Sequence, residues 1–540
     1  MKKLVSRLMA VLMAMTMILS MSMTAFAAEA SKGTLTVNNT VAGKTLDLYQ
    51  IFTATKNGDN VAYTLNSAYE GFFKNNTRIP GSESLTGEAL SEKAYEYVKT
   101  QVGEDGKNGT GFAKEILGWI LANADTVAAT HTIVTTTANT TVIRDLAYGY
   151  YVVYPLGATD TSAAPGNGQN YTSVASLVSV TDTNATVNMK SNYPTVVKKV
   201  NNKNADDVNI GDEVTYTLTS KVPDMTGYTS YVFNFKDTLS AGLTFKEITS
   251  VTVGAGENVQ NVTEGTGDNT YTLAQDGQNI TITMNNFLAS NAKKAGQEIK
   301  VTYTATLNKD AVTGFDANKN SATVEYSNKP GTDNKGESEP SIVDVHTFNF
   351  TIFKYYLKGA DKTGLANAEF ELYKANEAGD AADENAKINI VDEGNGVYRQ
   401  ATADEAKVTG FTSAKIVSDD DGKVLVKGLD AGSYYLRETK APEGYNKLLS
   451  DIKIEIKPVY DETTGKLTSY SVDYTYNGTK TTGTAITSKD NSPEVAVENK
   501  TGAQLPSTGS KGALMVTLAG IVLFGALTAS KAFGKKKAKN

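Results

Sequence analysis

Short runs in which apolar and polar residues alternate recur along most of this 540-residue chain. One run carries Val214, Tyr216 and Leu218 on one face and three threonines on the other. Similar runs read YVFNFKDTLSAGLTF, ITITMNNF, IKVTYTATLN and NSATVEYSN. Because successive side chains of a strand point to opposite faces, this period predicts half-buried strands. Turn residues separate the runs, so we expect antiparallel β-sandwich domains.

Length and composition narrow the class of protein. The chain is long enough for about three or four domains. Charged residues make up 21 % of it and the formal net charge is -7, without a basic face or arm, which argues against a nucleic-acid partner. It contains two histidines, His131 and His346, and no cysteine. The chain therefore has almost none of the histidine and cysteine that catalytic triads and metal sites usually contain. We expect neither an enzyme nor a metal or other cofactor.

The amino terminus predicts export. Lys2, Lys3 and Arg7 precede an apolar, methionine-rich run over residues 8–23, and Ala25-Phe26-Ala27 follows with small residues suited to cleavage. A membrane anchor is the alternative, but the run is short and the cleavage site is good. Residues 1–27 are therefore interpreted as a secretory signal peptide, which is excluded from the fold.

Three domains are predicted between residues 28 and 501. The first, 28–190, alternates strand-like runs with two stretches of helical period between Thr86 and Asn123, broken by the glycine-rich residues 103–111. The second, 191–340, and the third, 341–501, show strand patterns throughout. The expected fold is mainly β: tandem Ig-like β-sandwich domains, the first with inserted helices. Residues 502–540 form a separate tail.

Two lysines stand out in the strand patterns. Lys198 shares a strand face with Val196 and Val200, and Lys354 shares one with Phe350 and Ile352. A buried ammonium costs several kcal/mol unless it is paired or neutralised. A snorkelling surface lysine is the alternative in each case. Here, however, each lysine is accompanied in its domain by an acid and by an asparagine on the predicted last strand; these are Asp237 and Asn320 in the second domain, and Glu438 and Asn499 in the third.

Lysine, asparagine and a buried acid are the parts of an intramolecular isopeptide bond. Burial favours the neutral amine, which is a nucleophile, and the neutral acid, which polarises the asparagine carbonyl. Attack on the amide carbon then expels ammonia without a metal or a second enzyme. Such links, Lys198 to Asn320 and Lys354 to Asn499, would strengthen an exported chain that has no disulfides.

The tail resembles the sorting signal that sortases recognise on surface proteins of Gram-positive bacteria. Leu505, Pro506, Ser507, Thr508 and Gly509 match its LPxTG motif. An apolar run over residues 513–530 is about long enough to span a membrane as a helix, and lysines follow it on the predicted cytoplasmic side. The resemblance implies cleavage between Thr508 and Gly509 and transfer of the Thr508 carbonyl to an amine.

The whole chain resembles a major, or backbone, pilin of sortase-assembled fimbriae. The string YYLRETKAPEGY matches the E-box of the collagen-adhesin B-type fold, with Glu438 as its glutamate. The second domain is similar to the isopeptide-forming middle domain of fimbrial subunits, with Lys198, Asp237 and Asn320 at matching places.

The resemblance also implies an acceptor lysine at the junction of the first two domains. The family motif is W-x-x-x-V-x-V-Y-P-K, and here TDTNATVNMK ends at Lys190. Val187 fits, whereas Thr181 replaces the tryptophan and Asn188-Met189 replace the Tyr-Pro pair. Lys198, Lys199 and a solvated linker role for Lys190 remain alternatives.

These features predict a structural subunit of a wall-anchored surface fimbria that supports adhesion. The implied partners are identical subunits joined covalently, pilus-class and housekeeping sortases, minor tip and base pilins, and peptidoglycan. A monomeric wall-anchored adhesin is the alternative.

The acidic run Asp419, Asp420, Asp421 and Gly422 is interpreted as a solvated turn, because it lacks the alternation of an EF-hand loop and a strand follows it.

Overall fold

A computed structural model describes residues 31–103, 108–159, 174–189, 192–225, 227–254 and 256–501. The described chain divides into two compact units. Within the described ranges, the first unit contains the predicted first domain and most of the second, and the second unit contains most of the third together with residues 205–212 and 307–318. None of the helices in the described ranges is long and apolar enough to cross a membrane. The predicted signal peptide and the tail lie outside the described residues.

The predicted first domain is a β structure with a helical layer. Its strands are β1 (Lys32–Asn38), β2 (Thr45–Asn57), β3 (Asn60–Leu65), β4 (His131–Val134), β5 (Thr140–Ala147), β6 (Gly149–Pro155), β7 (Ser176–Val180) and β8 (Ala185–Asn188). A 3-10 helix, Ser67–Tyr69, precedes helices α1 (Glu70–Phe73), α2 (Gly87–Val102) and α3 (Gly109–Ala122). One sheet has the order β3-β2-β6-β7, with β4 on β2, and the other has the order β5-β1-β8. The two long helices confirm the prediction from helical period.

Those helices form because their apolar residues recur on one face. Leu90, Ala94 and Val98 of α2 are buried, and so are Phe112 and Ile116 of α3. Together with residues of β2 and β6 they form one apolar core. His131 begins β4 at the edge of this domain and is half-buried. The helical insertion therefore packs against one sheet.

The predicted second domain is a two-sheet sandwich. Its strands are β9 (Val197–Val200), β11 (Glu213–Lys221), β12 (Phe233–Leu239), β13 (Leu243–Val253), β14 (Gln260–Asn261), β15 (Thr263–Glu264), β16 (Thr270–Asp276), β17 (Asn279–Met284), β18 (Glu298–Leu307), β19 (Asn318–Ser327), β20 (Lys335–Glu337) and β21 (Ser341–His346). Strand β10 (Ala205–Asp207) lies between β9 and β11 along the chain. A 3-10 helix, Gly256–Asn258, and helix α4 (Phe287–Asn291) complete it.

Alternation along these strands selects the side chains of the core. In β11, Val214, Tyr216 and Leu218 are buried, whereas Thr215 is exposed, as the pattern predicts. One sheet has the order β14-β13-β18-β11-β9, and the other contains β19-β12-β17-β16-β15. The strand that carries Asn320, β19, is not the last of its sheet, contrary to the expectation, because β21 follows it and lies beside it.

The predicted third domain is a second sandwich. Its strands are β22 (Phe348–Lys358), β23 (Asp361–Gly364), β24 (Glu369–Ala375), β25 (Ala382–Lys387), β26 (Ile390–Gly394), β27 (Val397–Gln400), β28 (Ile416–Val417), β29 (Lys423–Leu429), β30 (Gly432–Lys440), β31 (Ile452–Tyr460), β32 (Leu467–Tyr476), β33 (Thr479–Thr481) and β34 (Glu494–Glu498), with helix α5 (Ala403–Lys407). The sheets have the orders β23-β22-β29-β27-β26, with β34 on β22, and β25-β24-β30-β31-β32-β33, with β28 on β24.

The second unit also holds a pair of carboxyl groups. Asp207 Oδ2 accepts a hydrogen bond of 2.7 Å from Tyr460, and Ala431 N donates to Asp207 Oδ1 at 3.1 Å and to Asp430 Oδ1 at 2.8 Å. Burial, followed by the hydrogen bond with Asp207, raises the pKa of Asp430 to about 8, and Asp212 adds to the effect. Asp430 is therefore largely protonated at neutral pH.

This pair predicts a pH dependence. Since folding raises the pKa of Asp430, the folded state holds a proton that the unfolded segment releases, so stability is greatest below about pH 4 and falls until about pH 8. The Ile210 N–H, which donates to Gly428 O, reports on this effect in hydrogen exchange. Its protection factor should fall by up to about tenfold for each unit that the pH rises within this window. Asp430→Asn should flatten this slope, whereas the surface control Asp310→Asn should keep it. An unchanged slope in Asp430→Asn would contradict the assignment.

Candidate functional site

The second-domain site is built around a buried lysine. Lys198 lies on β9, where Val196 and Val200 are buried on the same face and Val197 is exposed. Its side chain is only 1 % exposed. The ammonium nitrogen contacts Asp237 Oδ2 in a short ion pair and lies 2.7 Å from the Tyr303 hydroxyl. The strand pattern therefore predicted this burial correctly.

The acid and the amide of this site come from the opposite sheet. Asp237 follows Phe233 and Phe235 on the buried face of β12, and Asn320 pairs with Leu239 of β12 from the neighbouring β19. Both polar side chains are almost fully buried. The lysine and the asparagine are thus held by different sheets and meet inside the sandwich.

Tyr303 joins the three groups. Its hydroxyl donates to Asp237 Oδ2 at 2.7 Å and accepts from Asn320 Nδ2 at 2.7 Å, in addition to its contact with Lys198. The ring stacks on Tyr216, which lies directly opposite in the β11–β18 pair, with centroids 5.1 Å apart. Burial raises the pKa of Tyr303 well above its usual value, with a further contribution from Asp237, so the hydroxyl stays protonated.

The setting of Lys198 favours a reactive amine. Burial lowers its pKa to about 8, although Asp237 acts in the opposite direction. The nitrogen also lies 4.8 Å and 5.0 Å from the ring centroids of Tyr216 and Tyr303. Asp237 Oδ1 and Asn320 Oδ1 have no hydrogen-bond partner among the described residues. Buried polar atoms left in this way are uncommon in native structures, and a catalytic role is one explanation for them.

The third-domain site has the same residue types in another topology. Lys354 lies on β22 and Asn499 directly follows β34, which pairs with β22 in parallel. Asn499 N donates to Tyr355 O at 2.9 Å and holds the asparagine beside the lysine strand. Lys354 is fully buried and Asn499 is nearly so. Here the lysine and asparagine belong to the same sheet.

Glu438 reaches these two residues from the opposing sheet. It lies on β30, where Tyr434, Leu436 and Glu438 alternate into the core. Lys354 Nζ is 2.9 Å from Glu438 Oε1, an ion pair by distance, although the ammonium is not aligned to donate a hydrogen bond. Asn499 Nδ2 is 3.2 Å from the same oxygen. The carboxyl group therefore contacts both the amine and the amide directly.

The chain after Glu438 folds back and completes the site. Leu448 N donates to Glu438 Oε2 at 2.7 Å, and Asn446 O accepts from Asn499 Nδ2 at 2.8 Å. Asn499 Oδ1 has no hydrogen-bond partner among the described residues. Burial lowers the pKa of Lys354 to about 8, against the effect of Glu438. The E-box string thus supplies the acid, and the residues directly after it, Asn446 and Leu448, hold the amide and the acid in place.

The remaining predicted residues have different outcomes. Lys190 and the five sorting-motif residues, Leu505 to Gly509, lie outside the described residues. Lys199 is half-buried, and its nitrogen bonds Asn204 Oδ1 at 2.6 Å. His346 is buried at the end of β21. In the described ranges, no group of three or more histidine or acidic side chains is placed to hold a metal ion.

The acidic run forms a tight turn. Asp419 Oδ1 accepts from Asp421 N at 3.0 Å and from Lys423 N at 2.7 Å. Gly422 has a φ of +74°, and a Cβ at this position would collide with Lys354 O. The acidic run therefore forms a turn, as predicted, and this turn packs against the strand of the buried lysine.

Sequence reasoning missed Tyr303. A signal was present, because Tyr303 alternates with Ile299, Val301 and Ala305 on the inward face of β18. A buried tyrosine hydroxyl requires a polar partner, so this position pointed to a polar group in the core. The sequence did not indicate that the partner is the lysine site.

Two protein families match parts of the chain. The family described as Gram-positive pilin backbone subunit 2, Cna-B-like domain, matches residues 210–330. The family described as SpaA, prealbumin-like fold domain, matches residues 354–471. The two matched regions contain the acid of each site, and the first also contains Asn320 and the second Lys354.

Two curated relatives are similar to parts of the chain. The trypsin-resistant surface T6 protein of Streptococcus pyogenes is 27 % identical over 333 residues, covering 57 % of this chain and 52 % of that protein. Fimbrial subunit type 2 of Actinomyces naeslundii is 29 % identical over 267 residues, covering 46 % and 48 %. The chain thus matches about half the length of these relatives.

Two solved structures are similar to the chain in part. The T6 backbone pilin of serotype M6 Streptococcus pyogenes has a TM-score of 0.45 at 18 % identity, covering 88 % of this chain and all of that one. The group B streptococcus pilus 2b backbone protein has a TM-score of 0.40 at 25 % identity, covering 57 % and 99 %.

The buried ion pair predicts a stability effect. Asp237→Asn should lower the melting temperature, because Lys198 keeps a buried charge without its counter-ion, at a cost of about 3–5 kcal/mol. The double variant Lys198→Met with Asp237→Asn removes that charge and should melt at a higher temperature than Asp237→Asn alone. Thermal unfolding followed by circular dichroism measures both. Equal melting temperatures for the two variants would show that the lysine carries no buried charge.

Proposed function

We propose that this chain, which carries a Gram-positive pilin backbone domain and a prealbumin-like domain, is the structural shaft subunit of a surface fimbria. The observation that carries the proposal is the pair of buried lysine–acid–asparagine sites, one associated with each matched domain. The proposal has two chemical parts. Intramolecular isopeptide bonds reinforce the subunit, and sortase joins subunits through Thr508.

The isopeptide bonds follow from the arrangement at each site. A lysine whose pKa is lowered to about 8 by burial has an appreciable neutral fraction at neutral pH. The neutral amine attacks the asparagine amide carbon, and the neighbouring acid, Asp237 or Glu438, handles the protons. In the third domain, a neutral Glu438 also supplies a donor beside Asn499, whose carbonyl oxygen has no hydrogen-bond partner among the described residues. Each reaction occurs once and releases ammonia, so the chain is not an enzyme.

The cross-links stabilise the exported subunit. In the chain-entropy model for disulfides, closing a loop of about 120 to 145 residues contributes roughly 5 kcal/mol. This contribution is comparable with the stability of a whole domain. In the third domain the bond joins β22 and β34, which are its first and last strands. A pulling force that enters on one of these strands and leaves on the other then passes through a covalent link.

Polymerisation requires an acceptor amine that an enzyme can reach. Lys198 is 1 % exposed, and its side-chain nitrogen contacts Asp237 and Tyr303. Both facts argue against Lys198 as the acceptor. Lys199 is half-buried and bonded to Asn204. Lys190 therefore remains the proposed acceptor for Thr508 of the next subunit. Pilus-class sortase would build the polymer, housekeeping sortase would attach it to peptidoglycan, and minor pilins would occupy the tip and base.

Mass spectrometry tests the intramolecular bonds. Each bond releases one ammonia, so the processed chain should weigh about 34 Da less than its sequence mass, and Lys354→Ala or Glu438→Ala should retain about 17 Da of that deficit. Loss of the third-domain bond should lower the melting temperature of the third domain by about 10 °C or more. Lys358→Ala, at an exposed lysine of the same strand, is the matched control and should keep both bonds. A full sequence mass for the unmodified protein would refute this part.

The covalent polymer has a separate test. Cells that produce the chain and its sortase should show a ladder of high-mass species on denaturing gels, and Thr508→Ala should abolish it. Lys190→Ala should also abolish the ladder while leaving wall-attached monomer, whereas Lys199→Ala should not. Monomer alone from the unmodified chain would favour the wall-anchored adhesin instead.

A further inference from the structure

The two sites differ in how the acid reaches the amide. In the third domain, Glu438 Oε1 lies 2.9 Å from the lysine nitrogen and 3.2 Å from Asn499 Nδ2. In the second domain, none of the described hydrogen bonds joins Asp237 to Asn320. Aspartate is shorter than glutamate by one methylene group, and the Tyr303 hydroxyl occupies the intervening position. It contacts Asp237 Oδ2 and Asn320 Nδ2, each at 2.7 Å.

We propose that Tyr303 is a catalytic residue of the second-domain cross-link, where its hydroxyl passes a proton from Asp237 to the departing asparagine nitrogen. This inference rests on the proposed isopeptide chemistry and adds a fourth residue to it. The hydroxyl contacts both nitrogens that change bonding, Lys198 Nζ and Asn320 Nδ2. No corresponding tyrosine is needed in the third domain, because Glu438 performs both contacts there.

The proton path follows the described contacts. Transfer of one proton from Lys198 to Asp237 gives a neutral amine and a neutral acid. The amine attacks Asn320 Cγ, forming the new C–N bond and moving the carbonyl electron pair onto Oδ1. Nδ2 becomes basic only then, because its lone pair is no longer delocalised into the carbonyl group. The direction of its hydrogen bond with Tyr303 can therefore reverse.

Collapse of this intermediate completes the reaction. Tyr303 gives its proton to Nδ2 and takes one from Asp237 Oδ2, while Asp237 recovers a proton from the attacking nitrogen. The C–Nδ2 bond breaks, the carbonyl group re-forms and ammonia leaves. Lysine amine plus asparagine amide thus gives one secondary amide and one ammonia, while Tyr303 is regenerated and Asp237 is left as the neutral acid that holds the proton taken from Lys198.

The surroundings of Tyr303 suit a relay. Burial raises its pKa well above the usual value, so a free phenolate is not a stable intermediate and the hydroxyl must receive a proton as it donates one. Stacking on Tyr216 and a second ring contact, with Phe245 at 5.7 Å, fix the ring. The contacts with Lys198, Asp237 and Asn320 are all made by buried groups. Bulk water is therefore excluded from the path.

Tyr303→Phe removes the hydroxyl and keeps the ring. The full chain can be made by cell-free synthesis, sampled over time, and digested so that the Lys198–Asn320 and Lys354–Asn499 cross-linked peptides are quantified by mass spectrometry. The second-domain rate should fall by about 10²-fold or more, the usual loss when a general acid is removed. The third-domain rate should not change and serves as an internal control. Tyr326→Phe is the matched control, because this buried tyrosine lies on the asparagine strand but bonds Lys44.

A second variant separates proton transfer from a packing defect. Asp237→Glu combined with Tyr303→Phe extends the acid by one methylene group, as in the third domain, and should recover at least tenfold of the lost rate. If Tyr303→Phe alone does not fold, the double variant tests the relay in its place. Absence of the second-domain bond from the double variant then overturns the relay. A wild-type rate in folded Tyr303→Phe also overturns it. Absence of both bonds from the unmodified chain would instead refute the proposed function.

Discussion

The rest of the architecture depends on placing a lysine amine inside an apolar core. A buried ammonium is costly, so each domain must supply a counter-ion or convert the amine to its neutral form. Both sites do so with one carboxyl group, Asp237 for Lys198 and Glu438 for Lys354. The low polarity that makes the charge costly also lowers the pKa of each lysine to about 8. The burial that threatens stability is therefore what prepares the amine to react.

The two sandwiches meet this constraint with different topologies. In the second domain the lysine and asparagine strands belong to opposite sheets, so a bond between them joins the layers. In the third domain they are neighbouring parallel strands, and the acid arrives from the other sheet. Parallel neighbours already share backbone hydrogen bonds, and a covalent bond there secures the end of the strand pair. The shared residue types therefore describe a common chemistry and not a common geometry.

Much of this was predictable from alternation. The period of two placed Lys198 and Lys354 on buried faces, and the E-box identified Glu438, because both are local properties of the chain. The helical period likewise predicted α2 and α3. Contacts between distant strands were not predictable in this way. Tyr303 pairs with Tyr216, which lies 87 positions earlier in the sequence, so its place beside Lys198 follows only from strand order. The same limit applies to β19, which the sequence predicts as a last strand, although β21 lies beside it.

Because burial activates the lysine amine, the amine becomes reactive only after the domain has folded. Neither amine is activated in the unfolded chain, because water stabilises the ammonium and the partner residues lie on separate strands. The amide carbon is also held beside the amine only after β9, β12, β18 and β19, or β22, β30 and β34, have assembled. Bond formation must therefore follow folding and cannot trap a wrong pairing, in contrast to disulfides, which form between any exposed thiols that meet. In a chain without cysteine, the proposed cross-link would thus take its specificity from the native core itself.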